Sequence, residues 1–271
     1  MSPIDRLQNH WGLTRQPFGP DIPTNSLAQT KGLAEAVARI RWAVAQPGIC
    51  VVAGEVGAGK TVAARAAIAG LEPARHLTIY IPDPTIGLKG MHTQITAALG
   101  GQPRYAAATV AIQTQTLLAV ERDERGRTPV VIIDESHLLP VADLEGLRML
   151  TNTSMDTGSD FALVLLGQPT LRRRLKLAVL AALDQRIATR YTIEPMTPDE
   201  TTNYIKTHLA WAGRTDTLFS DDATTEIHQA SRGYPRAVNT LATASMLAAY
   251  TDNKAIIDRS SAEKAIADNT E

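Results

Sequence analysis

A glycine-rich stretch between an apolar run and an alanine-rich run carries the residues best suited to chemistry. Residues 54–61 read GEVGAGKT, which matches the phosphate-binding pattern G-x-x-x-x-G-K-[S/T]. Its glycines let the backbone curl so that successive N–H groups point at an anion, and the following helix adds its positive end. The lysine would reach the outer phosphates, and the threonine hydroxyl would hold Mg²⁺. The predicted nucleoside triphosphate site comprises Gly54, Glu55, Val56, Gly57, Ala58, Gly59, Lys60, Thr61 and Val62.

Two acidic residues follow the apolar run at residues 130–133. The carboxyl ends of parallel strands form the ligand crevice of an α/β sheet, so we expect Asp134 and Glu135 to face the phosphates. Asp134 would hold Mg²⁺ through water, and Glu135 would orient or deprotonate a water that attacks the γ-phosphate. Paired acids favour hydrolysis over transfer to an acceptor, whereas a solvated strand end is the alternative. His137 is expected to be a local hydrogen-bonding residue.

Further polar positions could complete a triphosphate-hydrolysing site. Gln168 follows the fourth apolar run and could hydrogen-bond the γ-phosphate or the attacking water, unless it is a simple turn residue. Arg186, with Arg190 in reserve, could reach a neighbouring subunit's γ-phosphate and make hydrolysis depend on assembly. Arg236 begins a later helix and could fold back onto the phosphates. A surface position is the alternative for Arg186, and a salt bridge for Arg236.

Basic residues are concentrated in one short segment that holds Arg172, Arg173, Arg174 and Lys176. These cannot all lie on one helical face, so the segment is either a solvated helix start or a surface that contacts DNA phosphates. Lys89, predicted at a loop tip between a strand and a helix, is another candidate for backbone contact. Because the formal net charge is −1, contact with nucleic acid would require such a local patch.

Composition bounds the class of protein. The 271 residues are 44% hydrophobic and 20% charged, as in an ordinary globular protein, and only 4% are aromatic. The core is therefore expected to be aliphatic. The lone Cys50 fits a reducing cytoplasm. We find neither an apolar run of about 18 residues nor a basic-then-apolar start, so the sequence predicts no membrane span and no signal peptide.

Apolar periodicity predicts alternating strands and helices, followed by helices alone. The predicted strands are 49–52, 76–82, 130–134, 161–167 and 190–193. The helices among and before them are predicted at 32–45, 91–99, 110–125, 144–152 and 171–183, with one more directly after the phosphate loop. This alternation implies a parallel sheet with helices on both faces. The later helices are predicted at 201–212, 220–231, 235–250 and 261–268, with Thr197 or Asp199 and Ser220 as caps.

Three regions follow from these patterns. Residues 1–30 are predicted to be an irregular lead-in, residues 31–195 the α/β nucleotide-binding domain, and residues 196–271 a helical lid. The lead-in contains Trp11 and Phe18. These aromatic residues either anchor the terminus or form a wall for the adenine base.

The motifs together resemble the AAA+ ATPases. The resemblance rests on GEVGAGKT, VVIIDESHLL, Gln168, the arginine of LDQRI, and GYPRAVN within a helical lid. The lead-in HWGLTRQPFG, the DE-x-HLL box and the GQP turn are most similar to the ExeA-type group. The resemblance implies a P-loop AAA+ fold with a parallel five-stranded sheet between helices and a small helical lid. It also implies ATP and Mg²⁺ as cofactors, adenine rather than guanine, Gln168 as first sensor, Arg186 as finger and Arg236 as second sensor.

The ExeA-type group contains both secretion ATPases and helpers of transposases, to which the TnsC-, TniB- and IstB-type proteins are related. Its secretion members look like membrane proteins with a span and a wall-binding part after the ATPase. Neither is found before Glu271, which favours the transposition helpers. The expected protein is a homo-oligomeric ring or filament that assembles with ATP on double-stranded DNA, without reading sequence, and engages a transposase. A secretion or envelope-assembly ATPase and a nucleotide-gated protein-binding switch with little turnover remain the alternatives.

Overall fold

The computed structural model describes residues 3–152 and 158–269, and a sheet of five parallel strands organises the middle of the chain. The strands are β1 (Ile49–Gly54), β2 (His76–Ile81), β3 (Thr128–Ile133), β4 (Ala162–Gly167) and β5 (Ile187–Ile193). Their order in the sheet is β2-β3-β4-β1-β5, and neighbouring strands run parallel. The predicted five-stranded parallel sheet is confirmed.

The central strands are continuous apolar runs because helices cover both faces of a parallel sheet. Every residue of β1 and β4 is buried, and Val51 pairs with Leu165 in their shared register. Ile133 pairs with the same Leu165 from the other side. Strand β4 therefore lies between the strand that ends in the glycine-rich loop and the strand that ends in the two acids. The carboxyl ends of these three strands lie at the same edge of the sheet.

Among the described residues, six helices are interleaved with the strands, and two precede them. They are α2 (Lys31–Ala45), α3 (Lys60–Ile68), α4 (Gly87–Ala98), α5 (Ala107–Asp123), α6 (Val141–Leu150), α7 (Pro169–Leu175) and α8 (Ala181–Arg186), with α1 (Pro3–His10) before them in the chain. Helix α4 begins at Gly87 rather than Met91, so the prediction that Lys89 lies on a loop tip is wrong. A 3₁₀ turn at Pro84–Ile86, in which the Asp83 carboxylate accepts the Thr85 N–H at 2.9 Å, leads directly into this helix.

The single helix predicted over 171–183 is instead two helices, α7 and α8, joined by a 3₁₀ turn at Ala178–Leu180. Leu171, Leu175, Leu180 and Leu183 are all buried in one core. In a continuous helix, Leu180 would lie nine residues after Leu171 and therefore on about the opposite face. The break in the helix therefore lets both halves of the segment bury their leucines together.

Contacts divide the chain into two units. The first comprises Met1–Leu33, Gly57–Gly59 and Glu194–Glu271, and the second comprises Ala34–Val56 and Lys60–Ile193. The helices of the first unit beyond α1 are α9 (Pro198–Trp211), α10 (Asp221–Ser231), α11 (Pro235–Thr251) and α12 (Arg259–Asp268). Thr197 and Glu200 form a capping box that starts α9, and the Ser220 hydroxyl caps α10. Among the described residues, no helix combines the length and apolarity needed to cross a membrane.

The lead-in is not irregular throughout. Met1 and Ser2 lie outside the described residues, but Pro3–His10 forms helix α1, and Leu7 packs with Trp11, four residues later, in the apolar core of the helical unit. Trp11 is buried in the apolar core of the helical unit, and the Phe18 ring stacks at 6.0 Å on His208 of the same unit. This packing supports the interpretation that the aromatic residues anchor the terminus.

Candidate active site

The glycine-rich loop connects β1 to α3 and folds back on itself around Lys60. Gly57 and Gly59 have φ of 79° and 92°, a left-handed region that costs little only for glycine. Lys60 is 7% exposed, and its Nζ donates to the carbonyl oxygens of Gly54 at 2.9 Å and Glu55 at 3.0 Å. The loop therefore holds the lysine ammonium at its own centre.

Asp134 follows β3 and accepts hydrogen bonds from three directions. Its Oδ2 accepts from the Thr61 hydroxyl at 2.7 Å and from the Tyr80 hydroxyl at 3.0 Å, and its Oδ1 accepts from the Glu135 N–H at 2.8 Å. The residue is only 5% exposed. Carboxylate oxygens accept hydrogen bonds, so these three donors fix the orientation of the Asp134 side chain. The structure brings Asp134 and Thr61 together as the sequence predicts.

Tyr80 is a residue of this site that the sequence reasoning missed. It lies on β2, pairs with Ile132 of β3, and is 46% exposed. Partial burial first, and then the neighbouring Asp134 carboxylate, raise the pKa of the Tyr80 phenol to about 12, so it is a hydrogen-bond donor at neutral pH. The only signal in the sequence is its place between Ile79 and Ile81, which puts its side chain on the opposite face from theirs.

Glu135 occupies a strained backbone conformation directly after Asp134. Its φ of 49° is left-handed, which costs a residue other than glycine on the order of 1–3 kcal/mol. The following Ser136 is buried, and its hydroxyl donates to the carbonyl of Ile133 at 2.8 Å, which fixes the turn. The Glu135 side chain is 47% exposed, with its Oε2 at 3.3 Å from Nδ1 of His137. The two adjacent acids therefore differ sharply in their surroundings.

Gln168 follows β4 and is half-buried. Its backbone conformation is extended, and its carbonyl accepts the Leu171 N–H at 2.9 Å, so it is the N-cap residue of α7. Because β4 lies between β1 and β3, Gln168 leaves the sheet between the strand followed by Lys60 and the strand followed by Asp134. This is the position expected of a polar residue that senses a γ-phosphate.

The three candidate arginines have different surroundings. Arg186 ends α8 and donates through Nη2 to the Asn152 side-chain oxygen at 3.1 Å. Arg190 is bound within its own segment, with its Nη1 at 2.9 Å from Asp184 Oδ1. Arg236 is exposed in the first turn of α11, and within the first unit its N–H donates to the Gly57 carbonyl at 3.2 Å.

The basic cluster does not form one continuous cationic surface. Arg174 donates to the carbonyl oxygens of two residues after β3, and Arg172 donates to the Thr192 hydroxyl at 2.9 Å. Arg173 and Lys176 are exposed. Lys89 is exposed as well, and its Nζ lies 4.4 Å from the ring centre of Tyr105, which is 92% exposed. Arg172 is exposed as well, so Arg174 is the one half-buried member of the cluster.

The donor set fits a magnesium-bound nucleoside triphosphate. A hydroxyl and a buried carboxylate, 2.7 Å apart at Thr61 and Asp134, are the hard oxygen ligands that Mg²⁺ prefers. The lysine ammonium at the centre of the loop supplies a cation for phosphate oxygens. No Cβ at Gly59 would meet another atom within 4 Å, so space remains beside the loop backbone for an anion.

Residues 44–175 match the family model described as AAA domain. The chain is also similar to General secretion pathway protein A of Aeromonas hydrophila, with 30% identity over 248 residues that cover 89% of this chain and 44% of that protein. The chain thus spans less than half the length of this curated relative.

Solved structures with similar folds include ORC1 of Aeropyrum pernix in complex with DNA, with a TM-score of 0.69 and 17% identity over 94% of this chain and 69% of that chain. Cdc6p of Pyrobaculum aerophilum has a TM-score of 0.65 and 18% identity, covering 89% of this chain and 67% of that chain. The RuvB Holliday junction branch migration motor of Thermotoga maritima has a TM-score of 0.59 and 19% identity, covering 93% and 72% respectively. At these identities the similarity concerns the fold alone. Residues 44–175 are therefore similar to an AAA domain, and the chain has the AAA+ fold.

Proposed function

We propose that this protein binds ATP with Mg²⁺ and hydrolyses it. The observation that carries the proposal is the pair of adjacent acids: Asp134 is buried and bonded to Thr61 of the phosphate loop, while Glu135 is half-exposed in a strained turn. The first acid is suited to hold a cation, and the second is suited to accept a proton from water. This combination favours hydrolysis over simple nucleotide binding.

In the proposed mechanism a water attacks the γ-phosphorus of ATP, the bond from this phosphorus to the bridging β–γ oxygen breaks, and ADP and phosphate are released. Thr61 and, through water, Asp134 would hold Mg²⁺, which would supply positive charge at the phosphate oxygens. Lys60 exchanges its loop carbonyls for phosphate oxygens, and Glu135 accepts the proton of the water. Gln168 orients the water or donates to the γ-phosphate.

Two arginines have proposed roles in control. Arg186 of a neighbouring subunit stabilises charge on the transferring phosphoryl group, which makes hydrolysis depend on assembly. Arg236 acts as the second sensor by contacting the phosphates. Its hydrogen bond to Gly57 of the loop supports this role.

The proposed output is assembly on DNA in the cytoplasm. With ATP, copies of the chain form a ring or filament on double-stranded DNA, follow its backbone without reading sequence, and regulate transposition through a transposase partner. The exposed cations Lys89, Arg173 and Lys176 support the DNA contact, since each phosphate that they neutralise adds salt-sensitive affinity. Hydrolysis then disassembles the oligomer.

A second candidate output is secretion or envelope assembly. It is favoured by the 30% identity to General secretion pathway protein A, which extends over 89% of this chain. This output predicts an envelope protein as partner and no affinity for DNA. A nucleotide-gated switch that binds a protein and turns over little ATP would share the same site.

One experiment tests the site and its output together. The purified protein is mixed with a random-sequence duplex and either ADP or a non-hydrolysable ATP analogue, at about 50 and about 200 mM salt, and particle size and DNA retention are measured. Large assemblies on DNA that need the ATP analogue and weaken with salt support the DNA output. Absence of DNA binding in both nucleotide states rejects it and favours the secretion-type output.

A matched pair of variants locates the DNA contact. Lys89→Ala is expected to weaken DNA retention and reduce its salt dependence, because one phosphate contact is lost. Lys206→Ala removes an exposed lysine of α9 and serves as the control. Equal DNA retention by both variants would remove Lys89 from the proposed surface. Phosphate release by the wild-type protein is measured in parallel, and its absence would favour the switch.

A further inference from the structure

Arg174 has a place in the structure that its proposed DNA contact does not explain. Its side chain is half-buried, and its guanidinium donates through Nη1 to the carbonyl of His137 at 2.6 Å and through Nη2 to the carbonyl of Leu139 at 2.5 Å. Both carbonyls belong to the turn that follows Glu135. The fork of one arginine therefore fixes two points of this turn at once.

Close packing holds the same turn from the direction of β4. Gly167 ends β4, and a Cβ on this residue would lie 3.1 Å from the backbone nitrogen of His137 and 2.8 Å from Leu171 Cδ2. A larger residue at this position would displace the turn or the leucine. The backbone after Glu135 is thus restrained by contact with the end of β4 and by the hydrogen bonds of Arg174. Such multiple restraint is what allows a strained residue to persist.

The other end of α7 carries the candidate sensor. Gln168 caps the helix, and Arg174 lies in its last turn. The helix is about 10 Å long and is anchored by the buried Leu171 and Leu175. One short rigid helix therefore connects the residue expected to sense the γ-phosphate with the turn that carries the expected base.

We propose that Arg174 is a positioning residue that sets the orientation of Glu135 and links it to Gln168 through α7. The inference rests on the proposed ATP hydrolysis. The proposed role of Arg174 is indirect. It acts by keeping the carbonyls of His137 and Leu139 in place, so that the left-handed backbone of Glu135 aims its carboxylate at the attacking water.

The test compares turnover and nucleotide affinity in Arg174→Ala. Because a displacement of about 1 Å can cost 10²-fold in rate, we expect kcat to fall by about 10- to 100-fold while KM and ATP affinity stay within about 2-fold. The control is Arg41→Ala, which removes another arginine bound to two carbonyls, those of Ala66 and Ala67, and should leave kcat unchanged. Equal kcat values in the two variants, or a parallel loss of ATP affinity in Arg174→Ala, would overturn the proposal.

A conservative variant keeps the test decisive if Arg174→Ala folds poorly, as judged by thermal unfolding. Arg174→Lys retains a charge but lacks the planar fork, so it should fold normally and have a kcat below that of wild type. Its kcat should exceed that of Arg174→Ala, or be above the background rate if Arg174→Ala does not fold. A wild-type kcat in Arg174→Lys would show that the fork is not needed and would reject the proposal.

The link to Gln168 predicts non-additive effects. In a double-mutant cycle, Arg174→Ala should reduce kcat less in a Gln168→Ala background than in wild type, because the part of its effect that α7 transmits to the Gln168 side chain is already lost. Strict multiplication of the two single effects would reject the link. Wild-type turnover by Glu135→Gln, in contrast, would reject the proposed hydrolysis itself, so the two failures are distinguishable.

Discussion

The two ends of the candidate active site are held in opposite ways. At the magnesium end, Lys60, Thr61 and Asp134 are fixed by bonds that their own side chains make, to the loop carbonyls and to each other. At the water end, the Glu135 side chain is half-exposed, and the bonds that restrain it act on the backbone of its turn. In the proposed mechanism this difference separates two tasks. A bound cation would need ligands that are fixed, whereas a base would need a fixed backbone position and a side chain that is free to reach water.

The largest expected effect breaks the magnesium end. Lys60→Ala removes the ammonium at the centre of the loop, so ATP binding should be lost entirely within the measurable range. Equilibrium binding of a fluorescent ATP analogue checks this. Lys206→Ala serves as the control, and tight ATP binding by Lys60→Ala would contradict the assignment of the loop.

Glu135→Gln should break the water end and leave the magnesium end intact. Glutamine keeps the shape of the side chain but cannot accept a proton, so kcat should fall by about 10³-fold with nearly normal ATP affinity. Single-turnover phosphate release and ATP binding measured side by side test this separation. A variant that loses both properties would show that the two ends are not independent.

Arg186→Ala should affect only hydrolysis that depends on neighbouring subunits. ATP binding should stay near normal, while assembly-stimulated turnover should fall by about 10³-fold. Mixing this variant with Glu135→Gln subunits should restore activity, since each supplies what the other lacks. If no mixing ratio restores turnover, the arginine does not act between subunits.

Tyr80→Phe sharpens the comparison because it removes a single hydroxyl from the magnesium end. Asp134 would keep its bonds to Thr61 and to the Glu135 N–H. We therefore expect the increase in ATP affinity that Mg²⁺ produces to be only several-fold smaller than in wild type. ATP binding is titrated with Mg²⁺ and, separately, in the presence of a chelator. Tyr105→Phe, a change on an exposed ring, is the control. Identical magnesium titrations of the two variants would remove Tyr80 from the site.

The effect with the least bearing on the site concerns the helical unit and should leave both ends of the site unchanged. Burial lowers the pKa of His208 to about 4, so below about pH 6.5 the unfolded chain binds a proton that the folded chain does not. Stability should therefore fall, by up to about 3 kcal/mol, as pH drops from about 6.5 to about 4. Denaturant unfolding of wild type and His208→Leu across this range measures the difference. A pH dependence as steep in His208→Leu as in wild type would assign it to other groups.

Local motifs account for what the sequence predicted well. The loop from Gly54 to Thr61 is contiguous, and Asp134 follows an apolar run whose burial is evident from composition, so both could be placed without knowing the strand order. The parallel sheet followed from alternation of strands and helices. These features depend on neighbours in the chain.

Features that depend on distant neighbours were missed. Tyr80 joins the site only because β2 pairs with β3, and nothing in its own strand indicates that pairing. Arg174 looked like one of several surface cations, because its carbonyl partners lie in a turn far away in sequence. The break between α7 and α8 follows from the shape of a core to which Leu171 and Leu180 both contribute.

Because Lys60 is bonded to its own loop, we expect the site to discriminate between ligands by their number of linked phosphoryl groups. Any anion that enters must compensate for the two carbonyls it displaces, at Gly54 and Glu55. A ligand with two adjacent phosphoryl groups can offer the ammonium two oxygens at once, whereas inorganic phosphate presents one group. We therefore expect calorimetry to show binding of pyrophosphate and little binding of phosphate, so that abundant cellular phosphate would not block the site.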